Sequence, residues 1–275
     1  MQNGTLPTEA GPALLRLRPF GALARVAIAA LGLALAGCGT TFPRTFDIDA
    51  TPAAGIPAIA TPTAVDASNN RGGVVVRIDP RLDTIHVAAR IRVSDRVEKE
   101  EREALAEQVS VWAHLDEANG RAVLRVGVES GRPDEDDHRV DLRITMPRCD
   151  GVLVRAAGGD VVLVGVGGSI QVENSRGAIE LRTARVLNDP VALFTDRGNI
   201  YYQAPPGSSG LFELRSLDGI VTMASIDRPR DVYATRDLYR GVINDGANPV
   251  TIQTGEGNVR AWIREDPEAL VRMFR

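Results

Sequence analysis

Between Val152 and Ala261 the apolar and polar positions return to one phrase: apolar, any residue, apolar, four mostly polar residues, a glycine, any residue, apolar. The copies are Val152-x-Val154 with Gly159-x-Val161-x-Leu163, Ile170-x-Val172 with Gly177-x-Ile179-x-Leu181, and Val191-x-Leu193 with Gly198-x-Ile200-x-Tyr202. Phe212-x-Leu214 with Gly219-x-Val221-x-Met223, a degenerate copy at Val232 and Ala234 with Gly241-x-Ile243, and Val250-x-Ile252 with Gly257-x-Val259-x-Ala261 complete the series. Alternation at period two predicts short strands with one buried face. In the regular copies the glycine falls seven residues after the first apolar position. Units that cannot bury their apolar face alone must stack. The expected fold is therefore all-β, with a repetitive parallel β-solenoid over residues 150–263.

Stacked strands lie about 4.8 Å apart, and a sharp corner between two of them favours a residue free to take positive φ. Two columns beside that corner are informative. Ala156, Asn174, Thr195, Ser216 and Thr254 are small, mostly polar, and expected to hydrogen-bond along the stack. Just before the glycine stand Gly158, Arg176, Arg197, Asp218, Arg240 and Glu256, a mixed column expected to limit self-repulsion. Both are expected to maintain the fold.

Residues 72–149 form a β-rich lead-in to the repeats. Val74-x-Val76-x-Ile78, Ile85-x-Val87 and Ile91-x-Val93 alternate as strands do, and Val97 to about Gln108, with its Glu-Lys-Glu-Glu-Arg-Glu run, is the helical candidate. Val109–Leu115 and Ala122–Val128 read as a hairpin with Asn119-Gly120 in its turn. At the other end, residues 264–275 are expected to cap the stack. Asp266-Pro267-Glu268 opens a short helix whose Leu270, Met273 and Phe274 share a face.

The N-terminus predicts location. Arg16, Arg18 and Arg25 precede an apolar run from Val26 to Ala36, too short to span a membrane and fitting a secretory signal over residues 1–37. Leu35-Ala36-Gly37-Cys38 resembles the lipobox of bacterial lipoproteins. That resemblance implies cleavage before Cys38, lipidation of its thiol, and a membrane partner through the lipid anchor. Gly39, where an aspartate would favour inner-membrane retention, points to an outer-membrane lipoprotein on the periplasmic face. Residues 38–71, with Pro43, Pro52, Pro57 and Pro62, read as a Pro/Ala/Thr-rich tether.

Composition narrows the function. Aromatics are 4% of the chain and the formal net charge is −4, so no basic field argues for nucleic acid. Cys149 has no second cysteine once Cys38 is lipidated, and is expected to be a buried thiol. His86, His114 and His138 lie in separate elements without metal-site spacing, and the acidic run Asp134–Asp137 lacks the pattern of a calcium loop. No metal or other cofactor is expected, and no nucleophile elbow or phosphate loop occurs. Tyr201 and Tyr233 are the aromatic candidates for glycan contact. Arg236, Asp237 and Asp245 join them as candidate binding residues, because they stand where the phrase breaks down, between Val232 and Asn248.

The lead-in strands, Val-Asp-Leu-Arg-Ile-Thr-Met-Pro at 140–147 and the Gly-Asp-Val and Gly-x-Ile repeats together resemble the bacterial putative adhesin family of envelope β-solenoid proteins. The resemblance covers about residues 72–263 and implies a β-solenoid scaffold without catalytic residues. The expected function is non-enzymatic: a lipid-anchored envelope protein that binds a partner protein or glycan. The alternatives are a glycan-active β-helix lyase or hydrolase, whose acids would include Asp237 or Asp245, and a self-assembling scaffold.

Overall fold

A computed structural model describes residues 45–49, 56–57, 63–94, 97–118, 121–131 and 137–269. Its first strands are β1 (Thr45–Asp49), β2 (Ile56–Pro57), β3 (Thr63–Asn69), β4 (Val74–Ile78) and β5 (Thr84–Ser94). Helix α1 (Lys99–Glu107) follows, then β6 (Val109–Ala118), β7 (Arg121–Ser130) and β8 (His138–Met146). The repeated phrases supply strand pairs: β9 (Asp150–Ala156) with β10 (Val161–Val164), β11 (Gly167–Arg176) with β12 (Ile179–Arg182), and β13 (Val191–Arg197) with β14 (Ile200–Ala204). The later pairs are β15 (Gly210–Asp218) with β16 (Val221–Ser225), β17 (Arg230–Ala234) with β18 (Leu238–Ile243), and β19 (Pro249–Glu256) with β20 (Val259–Ile263).

These strands build two sheets. One runs β1-β5-β8-β4-β10-β12-β14-β20-β16, with β2 on β5; the other runs β17-β18-β15-β19-β13-β11-β9-β3-β7-β6. Each regular copy of the phrase contributes one strand to each sheet, joined at its glycine, so a copy is one coil. Equivalent apolar positions meet in parallel register: Val152, Ile170, Val191 and Val250 in one sheet, and Val161, Ile179, Ile200 and Val259 in the other. Their side chains are buried between the sheets, as period-two alternation requires.

The strand pairs do not follow chain order. Strand β19 pairs with β13 on one side and β15 on the other, so the sixth copy sits between the third and the fourth. All regular copies carry the same apolar spacing and the same corner glycine, so each fits any neighbour. The degenerate fifth copy is not a coil. Strand β18 runs antiparallel to β15 and β17 antiparallel to β18, with an irregularity between Arg230 and Tyr233 where Asp231 takes a φ of 53°. The result is an all-β molecule of parallel coils flanked by antiparallel strands.

The tether boundary also moves. Thr63–Asn69 is a central strand, parallel to β7 and β9, and β1 and β2 pair with β5. Val65-x-Ala67 followed by Gly72-x-Val74-x-Val76 is in fact a further copy of the phrase, whose glycine again comes seven residues after the first apolar position. Small side chains at Thr63, Ala67 and Asn69 conceal it, because alanine and threonine read as linker composition. A neighbouring coil, β7 with β8, places Val140 at the corner beside Gly72.

Helix α1 is slightly shorter than the sequence predicts, and the β6–β7 hairpin pairs Val111 with Val128 and Leu115 with Leu124. The Asp266 carboxylate accepts the Ala269 N–H at 3.1 Å, but the expected C-terminal capping helix is not seen among the described residues. Signal segment, Cys38, turn residues 119–120, the acidic run through 136, and Leu270, Met273 and Phe274 lie outside the described residues.

Candidate functional site

The corner is held by two polar ladders. On one side of the glycines a buried side chain in one coil donates to the glycine carbonyl of the next. Asn174 bonds Gly159 at 2.9 Å, Thr195 bonds Gly177 at 3.2 Å, Thr254 bonds Gly198 at 2.8 Å, and Ser216 bonds Gly257 at 2.7 Å. Asn69 does the same for Val140 at 2.7 Å. On the other side, the residue after the glycine accepts a backbone N–H from the neighbouring coil: Asp160 from Ala178 at 2.8 Å and Asn199 from Asn258 at 2.8 Å. Each such bond contributes about 1 kcal/mol net. The small polar column therefore hydrogen-bonds along the stack, as its composition predicts.

The charged column is different. Because chain order and spatial order diverge, its members are re-sorted. Arg92 of β5 stands directly opposite Arg139 of β8, and the equivalent positions then continue through Arg71, Gly158, Arg176 and Arg197 to Glu256 and Asp218. Arginines gather towards one end of the stack and acids towards the other, which corrects the expectation of a mixed, self-neutralising column. Arg240 leaves the column altogether and pairs with Glu213 at 2.9 Å. Within the ladder Arg92 meets Asp141 at 2.7 Å and Arg197 meets Glu256 at 3.5 Å. Among the described residues, Arg139 and Arg176 are exposed and have no ion pair.

A shallow groove runs beside this corner. One hollow of about 880 Å³ crosses successive coils of the second sheet and is lined by Arg155, Ala157, Glu173, Ser175, Phe194 and Gly255. A second, of about 810 Å³, shares Asn70 and Ala157 with it and is lined by Arg71, Arg92, Arg139 and Arg176. The two form one elongated surface. Asn174 also lines it, and its Oδ1 is buried and has no hydrogen-bond partner.

The residues singled out from the sequence are not brought together. Tyr201 is half-buried on β14 in the first sheet, between Glu180 and Arg260, whereas Tyr233 is exposed on β17 in the second, opposite Arg240. Arg236 and Asp237 form the turn between β17 and β18, where their carbonyls accept the N–H groups of Val221 and Ser216, both at 2.9 Å. The Asp237 carboxyl is held below its ordinary pKa by the Thr235 hydroxyl at 2.8 Å. Asp245 lies beyond the far end of β18, on the order of 20 Å from Asp237 along the strand. A paired-carboxylate site from these two acids is therefore not formed.

Cys149 is fully buried, and its thiol donates to the Gly151 carbonyl at 3.2 Å. Burial pushes its pKa up to about 12, so the thiol stays neutral and unreactive. Tyr202 is a core residue, edge-on to Phe212 at 5.8 Å.

One constellation was not legible in the sequence. The His138 ring is buried, with Nδ1 at 2.6 Å from the Asp137 carboxylate and Nε2 at 3.0 Å from the Ser130 hydroxyl. With the proton on Nδ1 donated to Asp137, Nε2 is left to accept from Ser130, the order of a serine nucleophile, its base and the base's orienting acid. Ser130 and His138 line a hollow of about 250 Å³ with Asn69 and Arg71. Ser130 closes β7 and His138 opens β8. Among the described residues no group of three His, Cys, Asp or Glu side chains is placed to hold a metal ion.

The fold is all-β: two sheets, parallel across the repeated strand pairs and antiparallel towards their margins. It is similar to a putative cell adhesion protein from Clostridium sporogenes ATCC 15579, at a TM-score of 0.53 and 10% identity, over 81% of this chain and 100% of that one. A putative adhesin from Bacteroides fragilis NCTC 9343 aligns over 79% of this chain and 97% of its own at 10% identity, but its TM-score of 0.27 establishes no common fold. No family model matches the chain. No curated protein matches it either.

Proposed function

We propose that this chain is a non-enzymatic, adhesin-like envelope protein, anchored by lipid on Cys38 to the periplasmic face of the outer membrane, that uses its β-scaffold to bind a partner protein or glycan. The observation that carries the reading is the groove along the coil corner. It is long, shallow and continuous over several coils, a shape suited to an extended ligand. Resemblance of residues 35–38 to a lipobox supports the anchor.

The test is co-sedimentation of the protein with purified envelope fragments. Binding is expected for the native chain and is expected to vanish for Ser175→Trp, which fills the groove from an exposed position. A native chain that stays in the supernatant would sink the proposal. Anchoring is read separately: labelled palmitate should enter the chain and be lost in Cys38→Ser.

A glycan-active hydrolase is the second reading, one that removes ester-linked acyl groups from a glycan, supported by the Ser130–His138–Asp137 relay beside the groove. It predicts that a fluorophosphonate labels Ser130 and that His138→Gln abolishes labelling. Unlabelled protein that still binds envelope fragments favours the first reading.

A further inference from the structure

We propose that the arginine ladder at the coil corner is a site for an extended acidic polysaccharide, one that carries a carboxylate on successive sugars. This rests on the binding role given to the groove above. Three observations support it.

The first is electrostatic. The chain has a formal net charge of −4, yet Arg92, Arg139, Arg71, Arg176 and Arg197 are collected along one stretch of one corner. Arg92 and Arg139 face each other directly across a strand pair, an arrangement that destabilises a sheet unless something offsets it. Asp141 and Glu256 neutralise Arg92 and Arg197, while Arg139 and Arg176 remain exposed without ion pairs among the described residues. A bound anion supplies the missing charge.

The second is spacing. Positions of the ladder are one strand apart, about 4.8 Å, so Arg139 and Arg176, with Arg71 and Gly158 between them, stand about 14 Å apart, a distance that an extended sugar chain covers in about three rings. A guanidinium takes a carboxylate bidentately, in a fixed fork. Single-stranded nucleic acid would call for a row of stacking aromatics, whereas Phe194 is the aromatic side chain lining the groove.

The third is room. Gly158 interrupts the ladder between Arg71 and Arg176, nothing lies within 4 Å of where its Cβ would stand, and Ala157 and Ser175 beside it are small. A sugar ring fits there. Asp137, Glu173 and Asp196 also line the surface, so binding is expected to be moderate and to weaken with salt.

The experiment is affinity electrophoresis of the full chain through gels containing polygalacturonate, dextran, polyglutamate or oligo-dT. Polygalacturonate is expected to retard the protein and dextran to leave it unmoved. Arg139→Gln with Arg176→Gln is expected to weaken retardation about tenfold, two charge-assisted contacts being removed. Arg215→Gln with Arg228→Gln, the same change in net charge outside the ladder, is expected to have little effect. Unchanged melting temperatures would show both doubles folded. Equal loss in the two doubles, equal retardation by dextran, or stronger retardation by polyglutamate or oligo-dT would overturn the proposal. If envelope co-sedimentation is blocked by Ser175→Trp but survives Arg139→Gln with Arg176→Gln, the groove reading stands and this one falls.

Discussion

The two ends of the stack are finished differently. At one end both sheets close with antiparallel strands, β5 and β1 on one sheet and β6 on the other, and the corner there is crowded with arginine. At the opposite end only the second sheet is extended, by β18 and β17, while the first stops at β16, which has a strand neighbour on one side alone. Exposed apolar side chains gather there: Leu217, Ile220, Ile226, Val232 and Tyr233. The difference teaches that stacked coils have no intrinsic end. Each terminus is a separate solution to an unpaired edge: at one end both sheets finish on antiparallel strands, at the other only one does and apolar side chains are left exposed.

Substitutions at equivalent positions of the two ends sharpen this contrast. Gly72, at the paired end, has φ +115° and its Cβ would run into the Val140 backbone; Gly219, at the open end, would meet the Gly257 carbonyl but has no left-handed φ. Gly72→Ala is expected to cost roughly 3–5 kcal/mol and Gly219→Ala about half as much, read from urea unfolding. Equal losses would mean that both ends are equally rigid.

Core truncation should follow the same gradient. Ile144 on β8 is fully buried, whereas Met223 on the β16 edge is only partly so. Ile144→Ala is expected to destabilise by about 3 kcal/mol and Met223→Ala by about 1 kcal/mol. A reversal would show that the core is better packed beneath β16 than beside β8.

Two smaller changes should stabilise. The buried Tyr202 hydroxyl has no partner, and burial pushes its pKa up, so Tyr202→Phe is expected to gain about 1 kcal/mol in thermal melts. Ala156 occupies the ladder position from which neighbouring coils donate to a corner carbonyl. Ala156→Ser, facing Gly72, is expected to add about 0.5–1 kcal/mol. No gain would show that the corner near the paired end is already satisfied.

Much of the fold was legible because its determinants are local. Alternation marked the strands, the seven-residue offset marked the corners, and Asn174, Thr195, Ser216 and Thr254 could be recognised as a hydrogen-bonding column from their size and position. The copy at Val65 was hidden by alanine and threonine, which suit a strand interior as well as a linker. The candidate residues fared worse. Asp237 and Asp245 are separated by a whole strand, Tyr201 and Tyr233 lie in different sheets, and the Ser130–His138–Asp137 relay depends on how two strand ends meet.

What the sequence determined by itself is the coil: which side chains point inward, where the chain turns, and why glycine stands at the corner. Those are properties of a few neighbouring residues. What only the tertiary structure decided is the order in which coils stack, because identical phrases make every neighbour equally acceptable. That order placed the sixth copy between the third and fourth and drew Arg92, Arg139 and Arg71 into line with Arg176 and Arg197. A column that mixes charges along the chain is thereby sorted in space, arginines towards one end of the stack and acids towards the other.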